Sequence, residues 1–381
     1  MRMKKFGAAL LCVAMAVSAF AGCSPKKNAD KIRIGGTGPL TGGAAVYGTA
    51  AKRGAEIAVE EINAKGDLQF ALNYQDDVHD AEKAVNAYNT LKDWGMQISL
   101  GSVTSTPGVA TSAENYSDRI FALTPSGSSP AVVEGKDNVF QMCFSDPNQG
   151  LASAQYISEK KLGTKIAVIY KNDDVYSTGI YETFKAKADE MNLNIVSTTT
   201  FTEDSQSDFS VQLNDAKNAG ADLVFLPMYY QAAALIFAQA KAMDYAPLWF
   251  GVDGMDGILT LEGFDTSLAE GVILLTPFSA DAKDEKTVNF VNKYKEKFGE
   301  VPNQFAADAY DAVYAIYEAC KKGNVTPTTK AKDANDIMIA QFTSMSFDGL
   351  TGLGMTWSSD GTVSKSPKGM VIKNGTYVGL E

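Results

Sequence analysis

Ser105 and Pro107 sit in the segment Gly101-Ser102-Val103-Thr104-Ser105-Thr106-Pro107, at the end of a β-rich run. A serine at a helix N-cap with proline in the first turn is a favoured way to start a helix. Such a start presents unpaired backbone amides and a partial positive charge, which together suit a carboxylate. The next β-rich run ends in Thr124-Pro125-Ser126-Gly127-Ser128, adding hydroxyls and amides at the same sheet edge. The chemistry this offers is the capture of an anion.

Groups for bond chemistry are sparse. His79 is the only histidine, so a Ser-His-Asp or Cys-His arrangement would have to use it. It lies in Asp76-Asp77-Val78-His79-Asp80, just after a strand, where a solvated loop is expected. Cys143 and Cys320 fall in unrelated segments and are expected as two buried thiols; with His79 they offer too few ligands for a metal. The glycines of Gly35-Gly36-Thr37-Gly38-Pro39-Leu40-Thr41-Gly42-Gly43 superficially suggest a dinucleotide loop. Thr41 stands where the third glycine is needed, Pro39 lies inside the loop, and no Gly-Lys-Ser/Thr loop exists. We therefore expect no enzyme, no cofactor and no metal.

The elements that must position these residues follow from the hydrophobic pattern. β-rich runs over 32–35, 70–75, 98–100, 120–123, 166–170, 195–201, 223–226, 248–250 and 272–275 alternate with helical patterns. The helical stretches cover 50–62, 81–94, 149–160, 179–191, 209–219, 232–243, 285–298 and 306–321. This alternation predicts an α/β fold of doubly wound parallel sheets with helices on both faces. The pattern breaks near 144–149, 276–280 and 349–354, and short strands follow at 355–357 and 369–373. Read as crossings, the breaks give two lobes joined by a three-crossing hinge. Lobe 1 is then 31–146 plus 278–350, and lobe 2 is 147–277 plus 351–381. Ligands bind at the carboxyl ends of such strands, here in a cleft that a hinge can close.

The first 22 residues read as a secretory signal: Arg2, Lys4 and Lys5, then a small and apolar run too short to span a bilayer. Phe20-Ala21-Gly22-Cys23-Ser24 resembles the lipobox of bacterial lipoproteins. The resemblance implies cleavage before Cys23, acylation of its thiol and of the new amine, and a chain held by lipid outside the cytoplasmic membrane. Residues 23–30 are a small, polar tether. The 381-residue chain carries 34 Lys and Arg against 45 Asp and Glu, a formal charge of −11. That balance argues against nucleic acid and against a polybasic membrane patch.

Longer motifs carry a family resemblance. Residues 34–42, Tyr47-Gly48 and Gly54-Ala55-Glu56-Ile57-Ala58-Val59-Glu60-Glu61-Ile62-Asn63 resemble the opening of the leucine/isoleucine/valine-binding proteins. Asp76-Asp77, 101–105, Thr124-Pro125, 146–150 and Tyr310-Asp311-Ala312 continue it in order along the mature chain. The resemblance implies the type I periplasmic-binding fold and a monomer serving an ABC importer. Its ligand would be an amino acid, branched-chain or otherwise aliphatic, passed to the transmembrane permease subunits. It also implies roles for single residues. Ser105, Ser126 and Ser128 match positions that hold the ligand α-carboxylate, the last two also its α-ammonium. Asp253, in Gly251-Val252-Asp253-Gly254, matches an acid that pairs with the ammonium. It stands where the family's leucine/isoleucine/valine binder has the longer Glu. Tyr47, Tyr176, Tyr229 and Phe305 match aromatic and apolar walls that close over the ligand. Another small carboxylate, amide or aromatic acid as ligand, and a sensing role, stay open at this point.

Overall fold

The computed structural model describes residues 28–380. The signal segment, Cys23 and most of the tether lie outside the described residues.

The first half of the chain alternates as its pattern requires. The elements are β1 (Ile32–Gly38), α1 (Ala45–Lys65), β2 (Phe70–Asp76), α2 (Ala81–Trp94), β3 (Ile98–Ser99), α3 (Ser105–Asp118), β4 (Ala122–Thr124), α4 (Pro130–Val133) and β5 (Val139–Gln141). The five strands form one parallel sheet in the order β2-β1-β3-β4-β5. Local chemistry sets the helix ends. The Asp80 carboxylate accepts the Lys83 amide at the start of α2, and Gly95 ends that helix at φ 93°, a left-handed angle that glycine adopts without strain.

The second sheet is built from α5 (Asp146–Lys160), β6 (Ile166–Lys171), α6 (Val175–Glu190), β7 (Ile195–Phe201), α7 (Ser210–Asn218), β8 (Leu223–Leu226), α8 (Tyr230–Ala242), β9 (Leu248–Gly251) and β10 (Ile273–Thr276). Its parallel strands run β10-β9-β8-β6-β7. The central runs are buried throughout and almost wholly apolar: Leu223 to Leu226 at every position, and Ile273 to Leu275 before Thr276. That is the signature of a sheet covered on both faces. The chain then returns to the first sheet's side through α9 (Glu285–Phe298), α10 (Gln304–Gly323) and α11 (Ala331–Phe342), α10 packing along α1. A two-stranded ribbon, β11 (Ser346–Phe347) and β12 (Met355–Thr356), precedes β13 (Lys368–Lys373) and β14 (Thr376–Gly379). β13 adds antiparallel to β10, and β14 antiparallel to β13 at the edge.

The chain therefore passes between the two sheets three times. Polar contacts tie these passages together. The Asp311 carboxylate on α10 accepts the Leu350 and Thr351 amides, each at 2.9 Å, and the Thr351 hydroxyl at 2.7 Å. Lys365 donates to Asp308 and to Thr351 Oγ1, both at 2.7 Å, with its side chain wholly buried. Trp357 Nε1 donates to the Gln141 carbonyl at 2.8 Å, linking the first passage to the third.

Three expectations need correction. β1 continues to Gly38, so two glycines expected in a loop lie inside the strand; a Cβ on Gly36 would meet the Tyr74 ring at 2.7 Å. β4 lies at Ala122–Thr124 rather than 120–123; the Ile120 amide is taken by the Asn115 carbonyl at the end of α3. Thr104, not Ser105, is the N-cap of α3. The pattern also hides β5, which is three residues long, and α11, which buries Asn335 beside Ala334, Met338 and Phe342.

Candidate functional site

The carboxyl ends of the two sheets face each other. β3 and β4 end at Ser99 and Thr124 on one side, and β9 ends at Gly251 on the other. Gly101, at φ 30°, lets the turn after β3 touch the Thr124 backbone; an added Cβ would sit 2.7 Å from the Thr124 Cα. This close approach places Val103, Thr104, Ser126 and Ser128 together against the N-terminus of α3. Thr124 Oγ1 accepts the Gly127 amide at 2.8 Å and donates to the Ser102 carbonyl at 2.6 Å, fixing the serine turn. Ser126 Oγ donates to the Val103 carbonyl at 2.5 Å.

The opposite wall belongs to the second sheet. Asp253 opens a short 3-10 turn directly after β9 and is buried. Its carboxylate accepts the Tyr176 hydroxyl at 2.5 Å, and that hydroxyl accepts the Gly254 amide at 2.9 Å. Two glutamines pin its backbone: the Asp253 amide donates to Gln149 Oε1 at 3.1 Å, and Gln304 Nε2 donates to the Asp253 carbonyl at 3.0 Å. Burial pushes the Asp253 carboxyl up to about 7, against the Tyr176 hydrogen bond that lowers it. A buried acid without a paired cation is costly to ionise, so this carboxyl favours any cation that enters.

Aromatic rings complete the enclosure. Tyr47, on the first turn of α1, packs its ring centroid 4.6 Å from Phe305 and 5.5 Å from Tyr229. Tyr229 stacks on Tyr176 at 4.6 Å with the planes 9° apart. Its hydroxyl is buried and makes no hydrogen bond among the described residues. Together these residues line a nearly closed gap of about 10 Å³, room for about one water molecule. Of the residues singled out from the sequence, Tyr47, Ser126, Ser128, Tyr176, Tyr229, Asp253 and Phe305 meet there. Ser105 stands one residue beyond Thr104, and its hydroxyl accepts the Ser129 amide at 3.2 Å.

Two residues were not visible as site residues in the sequence. Asp146, the first residue of α5, is fully buried, and neither carboxylate oxygen has a well-formed hydrogen bond among the described residues. Burial raises its pKa well above the carboxylate range, against the nearby Ser128 hydroxyl that lowers it, and the Asp253 charge raises it further. Its place at the first crossing was the available signal. Tyr230, the neighbour of Tyr229, reaches across the cleft to Gly43.

His79 also differs from the solvated loop expected of it. Val78 and His79 both have left-handed backbones, φ 52° and 60°, held by Asp76 and Asp77, which accept the two amides at 2.9 and 3.0 Å. The turn aims the imidazole into the mouth of the cleft. There Nδ1 lies 2.8 Å from Thr104 Oγ1, and the ring meets Tyr229 edge-on at 5.4 Å. Burial lowers its pKa. Cys143 and Cys320 are free and buried. Among the described residues no group of three His, Cys, Asp or Glu could hold a metal ion, and no helix is long and apolar enough to cross a membrane. A larger surface groove beside Lys286, Tyr314 and Phe347 lies away from the cleft.

Comparison with known proteins agrees with this geometry. A family model described as periplasmic binding protein matches residues 31–375. Leu/Ile/Val-binding protein homolog 3 of Brucella melitensis is 28% identical, over 97% of this chain and 99% of that protein. The leucine-, isoleucine-, valine-, threonine- and alanine-binding protein of Pseudomonas aeruginosa is 27% identical, over 85% of this chain and 86% of that protein. The crystal structure of the branched-chain amino acid transporter substrate-binding protein of Streptococcus pneumoniae, in complex with isoleucine, superposes with a TM-score of 0.82 at 26% identity. That match covers 92% of this chain and all of the other. With its two sheets, its interlobe cavity and a family match across nearly the whole described chain, the protein belongs to the leucine/isoleucine/valine-binding family of ABC-transporter substrate-binding proteins, of the type I periplasmic-binding fold.

Proposed function

We propose that the chain captures an α-amino acid with an aliphatic, branched-chain side chain and hands it unchanged to an ABC permease. The observation that carries this reading is the opposition across one small cavity of an anion site and a cation site. The α3 N-terminus with Ser126 and Ser128 faces Asp253 with Tyr176. Donors on one wall and an acid on the other match the opposite charges of a zwitterion. The carboxylate docks on the amides and hydroxyls of the first lobe, where Ser105 sets the loop through Ser129. Hinge closure then brings Asp253 to the ammonium and expels water, which strengthens both charge-assisted contacts. Tyr47, Tyr229 and Phe305 surround the side chain with apolar surface.

The lobes in this reading are 31–146 plus 278–350 and 147–277 plus 351–381. The protein works as a monomer outside the cytoplasmic membrane, held through lipid on Cys23 after removal of residues 1–22. No bond is made or broken in the ligand. Equilibrium dialysis against isoleucine, followed by mass spectrometry of what is recovered, tests this. Isoleucine retained at about one per chain and recovered intact is the expected result. Recovery of a chemically altered product overturns it.

A further inference from the structure

We propose that Tyr47 and Tyr230 form a two-way latch that holds the lobes shut, which makes Tyr230 a positioning residue for ligand capture. The role in capture rests on the amino-acid-binding reading above; the latch itself rests on geometry. Tyr47 projects from α1, on the first sheet's side of the cleft. Its hydroxyl donates to the Gly254 carbonyl at 2.5 Å and accepts the Tyr230 amide at 3.1 Å, both on the far side. Tyr230 answers in the opposite direction. From the first turn of α8 its hydroxyl donates to the Gly43 carbonyl at 2.7 Å, back on the first sheet's side. The two rings meet edge-on at 4.9 Å.

Tyr230 lies outside the ring of residues that lines the cavity. It therefore acts on the ligand only through closure. Burial pushes the Tyr47 phenol well up and the Tyr230 phenol up to about 12, so both keep the proton they donate. These bonds exist only when the lobes meet. Removing them speeds opening and release and leaves the encounter of ligand with the open cleft unchanged. The net worth of one such bond corresponds to roughly two- to tenfold in an equilibrium constant.

Tyr47→Phe and Tyr230→Phe each delete one hydroxyl and keep the ring. Stopped-flow measurement with isoleucine should show the release rate rising about two- to tenfold in each, with the association rate of Tyr230→Phe unchanged. Small-angle scattering of the ligand-free double variant should show a shift toward the open form relative to wild type. A Tyr230→Phe protein with wild-type release, or one whose loss falls on association, overturns the latch. A wild type that binds no isoleucine defeats the amino-acid reading alone. The scattering arm then decides the latch, and an interlobe distribution unchanged in the double variant overturns it.

Discussion

Asp253→Asn is the sharpest perturbation of the site. Asn keeps the shape, so the Tyr176 hydroxyl can still donate to its carbonyl and the backbone contacts to Gln149 and Gln304 survive. What disappears is the negative charge facing the ligand ammonium. A hydrogen bond to a charged group contributes about 1.5–3 kcal/mol, so affinity should fall roughly ten- to a hundredfold. The same substitution has a pH signature. Burial holds Asp253 at about 7, so below that pH a cation must displace a proton to pair with it. Wild-type affinity should then rise with pH and level off above about 7, improving about thirtyfold between pH 5.5 and 8 for a single linked proton. The stability sign is opposite. A carboxyl whose folded pKa is raised contributes stability below its unfolded value and loses it as pH rises through about 7. Ligand-free Asp253→Asn should therefore melt at or above the wild-type temperature at pH 8 while binding more weakly. Calorimetry at three pH values, paired with thermal melts, reads both. Wild-type affinity in a folded Asn variant, or an unchanged pH slope, would refute the pairing of Asp253 with an ammonium.

Ser126→Ala should weaken isoleucine binding by less than tenfold, because the α3 amides and the Ser126 backbone remain; calorimetry checks it, and a larger loss would make the hydroxyl a direct contact. Lys365→Ala should destabilise the fold by about 3–5 kcal/mol, since it strands the buried Asp308 carboxylate. Denaturant melts should show Lys365→Met paired with Asp308→Leu recovering much of that loss, and no recovery would mean the pair is not the cause. Cys23→Ala should abolish incorporation of a fatty-acid analogue and release the protein or leave it uncleaved; equal labelling of variant and wild type would exclude the anchor.

The alternation of apolar runs made the sheets legible, because strands covered on both faces are apolar at every position, as Leu223 to Leu226 are. The caps and turns located the carboxyl-end loop that holds Ser126 and Ser128, and the family resemblance singled out Asp253, before any contact was known. Elements held by long-range polar contacts stayed hidden. Besides its ladder with β4, β5 gives the Gln141 amide to the Gly361 carbonyl, and besides its buried apolar face, α11 has Asn335 accepting from Asn138. Neither partner is near in sequence. The strand extending through Gly38 and the shift of the α3 cap to Thr104 are one- to three-residue effects that tertiary packing decides. Asp146 and Tyr230 escaped for the same reason: their importance lies in what they face across the cleft, and no periodicity encodes that.

The central claim is that this cavity recognises both charged ends of an aliphatic amino acid. A thermal-shift panel tests it most directly, because a ligand bound only by the native chain raises its stability by RT ln(1 + [L]/Kd). The panel should contain the common amino acids, their amides, the deaminated acids of leucine and isoleucine, and benzoate. The account predicts shifts for branched-chain amino acids that vanish when either the amine or the carboxylate is removed. A shift given by benzoate or a deaminated acid and by no amino acid would contradict it.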